Sequence, residues 1–215
     1  MSGLRPGRIL VSEAELQTRV HELGRAIARD CAAEAPILVG VLQGAFLFMA
    51  DLIRAIPIDL TTDFIGLSSY GSGRQQSSGQ VRLVSDLSMP IEGRQVLIVE
   101  DIVDTGLTLA YLKRNLESRR PERVRVCVLV DKIERRQVEL DLDYVGFTIP
   151  NVFVVGYGLD YGGLYRNLPY IAERQGRSGT RFRVRVGAFA TREAAQEFAA
   201  RIAAERSVST FVTTR

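Results

Sequence analysis

Three stretches of this chain are apolar without alternation: ILVGVL (37–42), QVLIV within RQVLIVE (94–100) and VCVLV within RVRVCVLVD (123–131). A strand wetted on one face alternates apolar and polar residues. A strand that is apolar throughout needs cover on both faces. That cover is encoded between the runs. Ser12 and Glu15 form an S-x-x-E capping box that opens a helix expected to reach about Ala33. Gly44 turns the chain into AFLFMADLIRAI (45–56), and a third helix is expected from about Gly106 to Ser118. Short strands alternating with helices predict an α/β fold, with a mainly parallel sheet flanked by helices.

Two further strands are expected at IDLTTDFIGL (58–67) and VRLVSDL (81–87), paired as a hairpin. Between them SSYGSGRQQSSGQ (68–80) reads as a flexible loop, long enough to suggest a functional one. VFVVGYG (152–158) reads as another strand of the domain. In parallel sheets ligands sit beyond the carboxyl ends of the strands. The acids after Val99, Lys132 after Val130 and Asp160 after Gly158 are expected at such ends.

Several function classes are disfavoured. No apolar run reaches 18 residues, so no membrane span is expected. The polar start, residues 1–8, is followed by no signal-peptide core, so a cytoplasmic location is expected. Cys31 and Cys127 lie apart in apolar surroundings and read as reduced core residues. A single histidine, His21, disfavours a histidine-based metal site or a Ser–His–Asp triad. The net charge of +3 is uneven, because residues 173–215 hold nine Arg against four Glu. The basic excess therefore belongs to the tail, and no nucleic-acid partner is expected.

After Pro169 the pattern changes. ERQGRSGTR (173–181) reads as a linker. A strand at 182–189, a helix at 191–205 with Thr191 as N-cap and a strand at 208–214 follow. The expected organisation is a main domain over 1–175 and a small β-α-β extension over 176–215.

VLIVEDIVDTGLTL (96–109) carries the chemistry. Thr105, Gly106 and Thr108 stand where a strand turns into a helix. Backbone amides at a helix start form an anion nest, and Gly106 permits close approach. Glu100 and Asp101 suit sugar hydroxyls or a hydrated Mg²⁺. Asp104 is left as a candidate base. The segment reads as a site for a sugar phosphate, and it lacks the spacing of a P-loop.

This segment resembles the phosphoribosyl diphosphate signature of type I phosphoribosyltransferases. GVLQGAFLFMADL (40–52), LSSYGSG (67–73) and DYVGFTIPNVFVVGYGLDYGGLYRNLPYI (143–171) narrow the resemblance to the hypoxanthine-guanine phosphoribosyltransferases, over nearly all of residues 8–174. The resemblance implies the type I fold with a hood and a flexible hairpin loop. It implies that Glu100 and Asp101 hold the ribose hydroxyls, directly or through magnesium, and that Asp104 is the acid or base at N7 of the purine. Asp104, Thr105, Gly106, Leu107 and Thr108 would wrap the 5′-phosphate. Leu42, Gln43 and Gly44 match the diphosphate loop, whose cis peptide turns amides towards the leaving group. Ser69 and Tyr70 would close over the diphosphate, and Arg166 would touch it. Lys132 would donate to the 6-oxo group, Phe153 would stack on the base, and the Val154 carbonyl would accept from a 2-amino group. Asp160 would bind at the purine side and hold a second Mg²⁺.

The chain departs from many relatives with Gln43 in place of Lys, and from some with Leu107 in place of a basic residue; the resemblance implies that both positions serve mainly through backbone amides. The implied activity is transfer of phosphoribose from phosphoribosyl diphosphate to hypoxanthine or guanine. The implied assembly is a homodimer or homotetramer. Alternatives are an enzyme preferring xanthine, or a nucleotide- or RNA-binding regulator on the same fold. Retention of Asp104, Lys132 and Asp160 together favours the enzyme. In the tail, FRVRVGAFATREAAQEFAARI (182–202) resembles the first half of a SPOR domain, a peptidoglycan-binding module.

Overall fold

The apolar runs become the middle of a sheet because each presents one parity of side chains to helices on either face. A computed structural model describes residues 6–69, 81–174, 189 and 191–206. In chain order the elements are β1 (Pro6–Val11), α1 (Glu13–Asp30), β2 (Ile37–Leu42), α2 (Phe46–Ala55), β3 (Thr61–Ser69), β4 (Val81–Ser85), β5 (Gln95–Val103), α3 (Leu107–Glu117), β6 (Arg123–Asp131), β7 (Tyr144–Thr148), β8 (Val154–Val155), β9 (Ile171–Arg174) and α4 (Arg192–Arg206). Six strands form one sheet in the order β4-β3-β2-β5-β6-β7. The β4–β3 pairing is antiparallel, and the other pairings are parallel.

On one face Leu38, Leu97, Val99, Cys127 and Leu129 pack with Leu16, Leu23 and Ile27 of α1 and Phe48 and Leu52 of α2. On the other, Val39, Val41, Val96, Ile98, Val126 and Val128 pack with Leu109, Leu112 and Leu116 of α3. Each such buried aliphatic contributes roughly 1.5–3 kcal/mol relative to exposure, so these two layers fix the sheet between its helices. Helices α1 and α2 touch closely: a Cβ on Gly24 would lie 2.4 Å from the Ala55 carbonyl oxygen.

The Ser12 capping box forms, with Ser12 Oγ accepting from the Glu15 amide and Glu15 accepting from the Ser12 amide. Helix α1 ends at Asp30, three residues before the expected Ala33, and Cys31 caps it. The hairpin is stiffened by buried Asp63, which accepts from the amides of Ser88 at 2.7 Å and Met89 at 3.2 Å.

One expectation about sheet membership is corrected. VFVVGYG does not extend the parallel sheet; only Val154–Val155 is a strand, in a second, antiparallel sheet of order β1-β9-β8. Gly156 turns the chain at φ +104°, where an added Cβ would lie 2.0 Å from the Tyr170 carbonyl oxygen. Asp160 therefore follows a turn of this small sheet and not a parallel strand. Strands β1, β7 and β9 were not anticipated. Each is short or irregular: β1 and β9 pair with register shifts, and β9 is only four residues long.

The chain divides into two compact units, Met1–Arg177 and Ser178–Arg215. In the second, α4 is capped by Thr191, whose Oγ1 accepts from the Ala194 amide at 3.3 Å, and the Phe189 and Phe198 rings lie 5.1 Å apart. The expected loop tip over 70–80, most of the expected strand at 182–189 and the expected strand at 208–214 lie outside the described residues. Among the described residues no helix is long and apolar enough to cross a membrane.

Candidate active site

Strand β5 runs through the core as Val96–Val99 and carries Glu100 and Asp101 towards its carboxyl end. The chain then turns through Asp104, Thr105 and Gly106 into α3. Gly106 adopts φ +82°, and a Cβ there would lie 2.8 Å from Leu140 Cδ1, so glycine is required by conformation and by space. No side chain caps α3. Its first amides are thus available to an anion, in the favourable field of a helix start. Thr105 Oγ1 stands 3.5 Å from the Leu107 amide, and the Thr105 carbonyl accepts from the Gln137 amide at 3.0 Å, which braces the turn.

Glu100 and Asp101 form a buried carboxyl pair. Burial, and then the charge of Asp101, hold the Glu100 carboxyl well above the usual carboxylate range. Burial also raises Asp101, against hydrogen bonds from Glu100 and the Ile102 amide and the charge of Arg166. Glu100 Oε2 is buried with no hydrogen-bond partner. An orphaned buried carboxyl oxygen beside a second carboxylate fits a hard cation or sugar hydroxyls. Among the described residues no cluster of three or more His, Cys, Asp or Glu could hold a metal. The protein would therefore supply two carboxylates, and the substrate and water the remaining oxygens, which is how Mg²⁺ is commonly held.

Three chain segments meet at this pair. The Leu42–Gln43 peptide bond is cis, and Gly44 follows it. A Cβ on Gly44 would sit 1.7 Å from Asp101 Oδ2. A Cβ on Gly158 would sit 2.3 Å from the Gly44 carbonyl oxygen. The segment carrying Leu42, Gln43 and Gly44, the end of β5 and the turn after β8 are thus in contact where only glycines fit. Arg166 ties the turn: its Nη1 donates to the Gly158 carbonyl and its Nη2 to Asp160 Oδ1, both at 2.7 Å. Asp160 Oδ2 accepts from the Gly163 amide at 2.7 Å, so both oxygens of Asp160 have protein partners.

Asp104 and Lys132 lie side by side. Lys132 is buried; its amide donates to the Val103 carbonyl at 3.0 Å. Burial lowers its ammonium pKa, and the charge of Asp104 opposes that shift. Asp104 Oδ1 accepts from Arg135 Nε at 2.7 Å, in a half-exposed pair. Such a pair is worth about 0–1 kcal/mol, so it can open for a ligand. Val154 is buried in β8, whereas Phe153 is 50% exposed, its ring edge-on to Tyr161 at 5.7 Å. The Ser69 backbone pairs with Val81, and Tyr70 lies outside the described residues.

Arg135, Gly158, Tyr161 and Arg174 were not singled out from the sequence. Gly158 had a visible signal in the glycine-rich GYGLDYGG. The arginines had none, because one Arg among twenty-six is not distinguished by type.

Uncapped helix-start amides and a buried carboxyl pair thus lie together at the carboxyl end of the parallel sheet, an arrangement that suits a sugar phosphate. Residues 12–162 match the phosphoribosyl transferase domain family, and residues 163–214 match the SPOR domain family. The chain is 51% identical over 177 residues to the hypoxanthine-guanine phosphoribosyltransferase of Mycobacterium avium, covering 78% of this chain and 87% of that protein. It is 47% identical to a solved hypoxanthine-guanine phosphoribosyltransferase from Bacillus anthracis, with a TM-score of 0.75 over 79% of this chain and 99% of that one. It is 49% identical over 164 residues to the bifunctional protein TilS/HprT of Listeria monocytogenes, of whose length it spans about a quarter (25%). The chain belongs to the phosphoribosyltransferase family, in its hypoxanthine-guanine branch. The SPOR match begins ahead of β9, a strand that pairs with β1 and β8 in the first unit.

Proposed function

We propose that this chain is a purine-salvage enzyme transferring the 5-phosphoribosyl group of phosphoribosyl diphosphate to N9 of hypoxanthine or guanine. The observation that carries the reading is the meeting of Asp101, Gly44 and Gly158 at glycine-only contacts. It joins the ribose, diphosphate and base segments around one carboxylate. Identity near 50% to hypoxanthine-guanine phosphoribosyltransferases supports the choice of base.

In this reading the α3 amides of Leu107 and Thr108, with Thr105 and Gly106, hold the 5′-phosphate. Glu100 and Asp101 would hold the ribose hydroxyls, directly or through one Mg²⁺, and Asp160 would hold a second. Bound Mg²⁺ would neutralise charge on the departing diphosphate. The amides of the Leu42–Gly44 loop, with Ser69, Tyr70 and Arg166, orient that diphosphate. Lys132 donates to the 6-oxo oxygen, Phe153 stacks on the ring, and the Val154 carbonyl reads the 2-position. The C1–O bond to diphosphate breaks ahead of C1–N9 bond formation, and Asp104 takes the proton that leaves N7. Exclusion of water protects the activated sugar from hydrolysis.

Purified protein with Mg²⁺ and phosphoribosyl diphosphate, given hypoxanthine, guanine, xanthine and adenine separately, tests the proposal. Turnover of hypoxanthine or guanine is expected. Turnover of xanthine alone would move the assignment to that base, and no turnover with any base would remove the enzyme reading. A homodimer or homotetramer in a cytoplasmic location is part of the proposal, checked by solution mass and cell fractionation. The extension over 176–215 is proposed to be dispensable for catalysis. Truncation after residue 175 should keep activity, whereas truncation after residue 162 removes β9 and should abolish it.

A further inference from the structure

Arg174 is a cation for which the proposed reaction has assigned no use, yet it is built against the base side of the site. Its amide donates to the Phe153 carbonyl at 2.7 Å, so its backbone is tied to the residue proposed to stack on the purine. Its guanidinium carbon lies 4.0 Å from the Tyr161 ring centroid and 5.1 Å from that of Phe153. Those two rings stand at 90°, so the cation sits in the corner they form. Its Nε is buried and has no hydrogen-bond partner. A guanidinium gives up hydration there, and two aromatic faces return only part of it.

We propose that Arg174 is a positioning residue for the base. It fixes the Phe153 ring as a stacking surface. By holding positive charge against that ring, it favours a base rich in electron density, such as a 6-oxopurine. This rests on the reading of Phe153 as the stacking residue. Tyr161 is the second wall that holds the guanidinium in place. The effect acts on base binding and not on the bond-breaking step, because Asp104, Glu100 and Asp101 sit on other elements.

The test is steady-state kinetics of the full chain with Mg²⁺, phosphoribosyl diphosphate and hypoxanthine. Turnover by the unaltered protein first establishes the reaction, so loss of that reading is distinguishable from loss of this one. Arg174→Met should raise the KM for hypoxanthine roughly three- to tenfold, the range expected for a partly desolvated cation–π contact. The KM for phosphoribosyl diphosphate and kcat should stay within about twofold. Arg174→Lys keeps the charge but loses the planar stack, so it should recover part of the base KM. In a Phe153→Leu background, Arg174→Met should add no further rise, because the ring it acts through is gone. If Arg174→Met does not fold, Arg174→Lys carries the test, with a base KM raised at least about twofold. A base KM unchanged or lowered in the folded variants would overturn the proposal. So would equal rises in both KM values.

Discussion

On one side of the site Glu100, Asp101, Asp104 and Gly106 come from a single strand and the turn that follows it. On the other, Phe153, Asp160 and Arg174 are gathered from the residue ahead of a two-residue strand, an irregular turn and a strand near the end of the first unit. The side proposed for ribose and phosphate is local in sequence and rests on the main sheet. The side proposed for the base is assembled at long range by a small antiparallel sheet that also needs β1. The difference teaches that one half of the site is set by backbone geometry at one strand end, and the other by which distant segments pair. Substitutions on the two sides should therefore separate in the kinetics.

The largest effect is expected at the proposed acid or base. Asp104→Ala should lower kcat by about 10² or more, the usual contribution of a general acid or base. A near-unaltered rate would remove Asp104 from that role. Next comes the ribose–phosphate side. Gly44→Ala sets a Cβ on Asp101 and should raise the KM for phosphoribosyl diphosphate by about tenfold or more, with a smaller change for the base. Phe153→Ala should do the reverse, raising the base KM by roughly tenfold through loss of stacking. If either variant moves both KM values equally, the two-sided description fails.

A smaller effect concerns stability. The Glu100 carboxyl has its pKa raised on folding, chiefly by burial. It therefore opposes folding once pH rises past its unfolded value, near 4.3, and the penalty grows up to the folded value. Glu100→Gln should raise the melting temperature at pH 7, in the absence of Mg²⁺ and substrate, by about 2–4 °C per kcal/mol recovered. That gain should disappear below about pH 4, where the carboxyl is protonated in both states. A melting temperature at pH 7 equal to that of the unaltered protein would contradict the burial argument. The smallest change is expected for Arg135→Ala, which removes a half-exposed ion pair and should alter kcat/KM by less than about fivefold.

Much of this is legible in the sequence. Strand β2 coincides with its apolar run, and β6 spans the stretch RVRVCVLVD around its own, because continuous apolar runs with cover on both faces have one favourable place in the sheet. The Ser12 cap and the β5–α3 turn were readable for the same reason: each is a local pattern with one favourable geometry. The failures are equally specific. VFVVGYG has the composition of a core strand, but Gly156 turns it after Val155 into a different sheet. Strand β1 lacks a continuous apolar run and β9 is only four residues long, and their pairing joins opposite ends of the first unit with register shifts.

The sequence by itself determined the α/β architecture, the parallel core and the turn from β5 into α3 that carries Asp104 to Gly106, since apolar period, capping and turn chemistry act over a few residues. Only the tertiary structure decided that Gly158 touches Gly44, that Arg135 pairs with Asp104, and that Arg174 lies between Phe153 and Tyr161. Those contacts depend on packing between residues far apart in the chain, and no local preference of an arginine or a glycine specifies its distant partner.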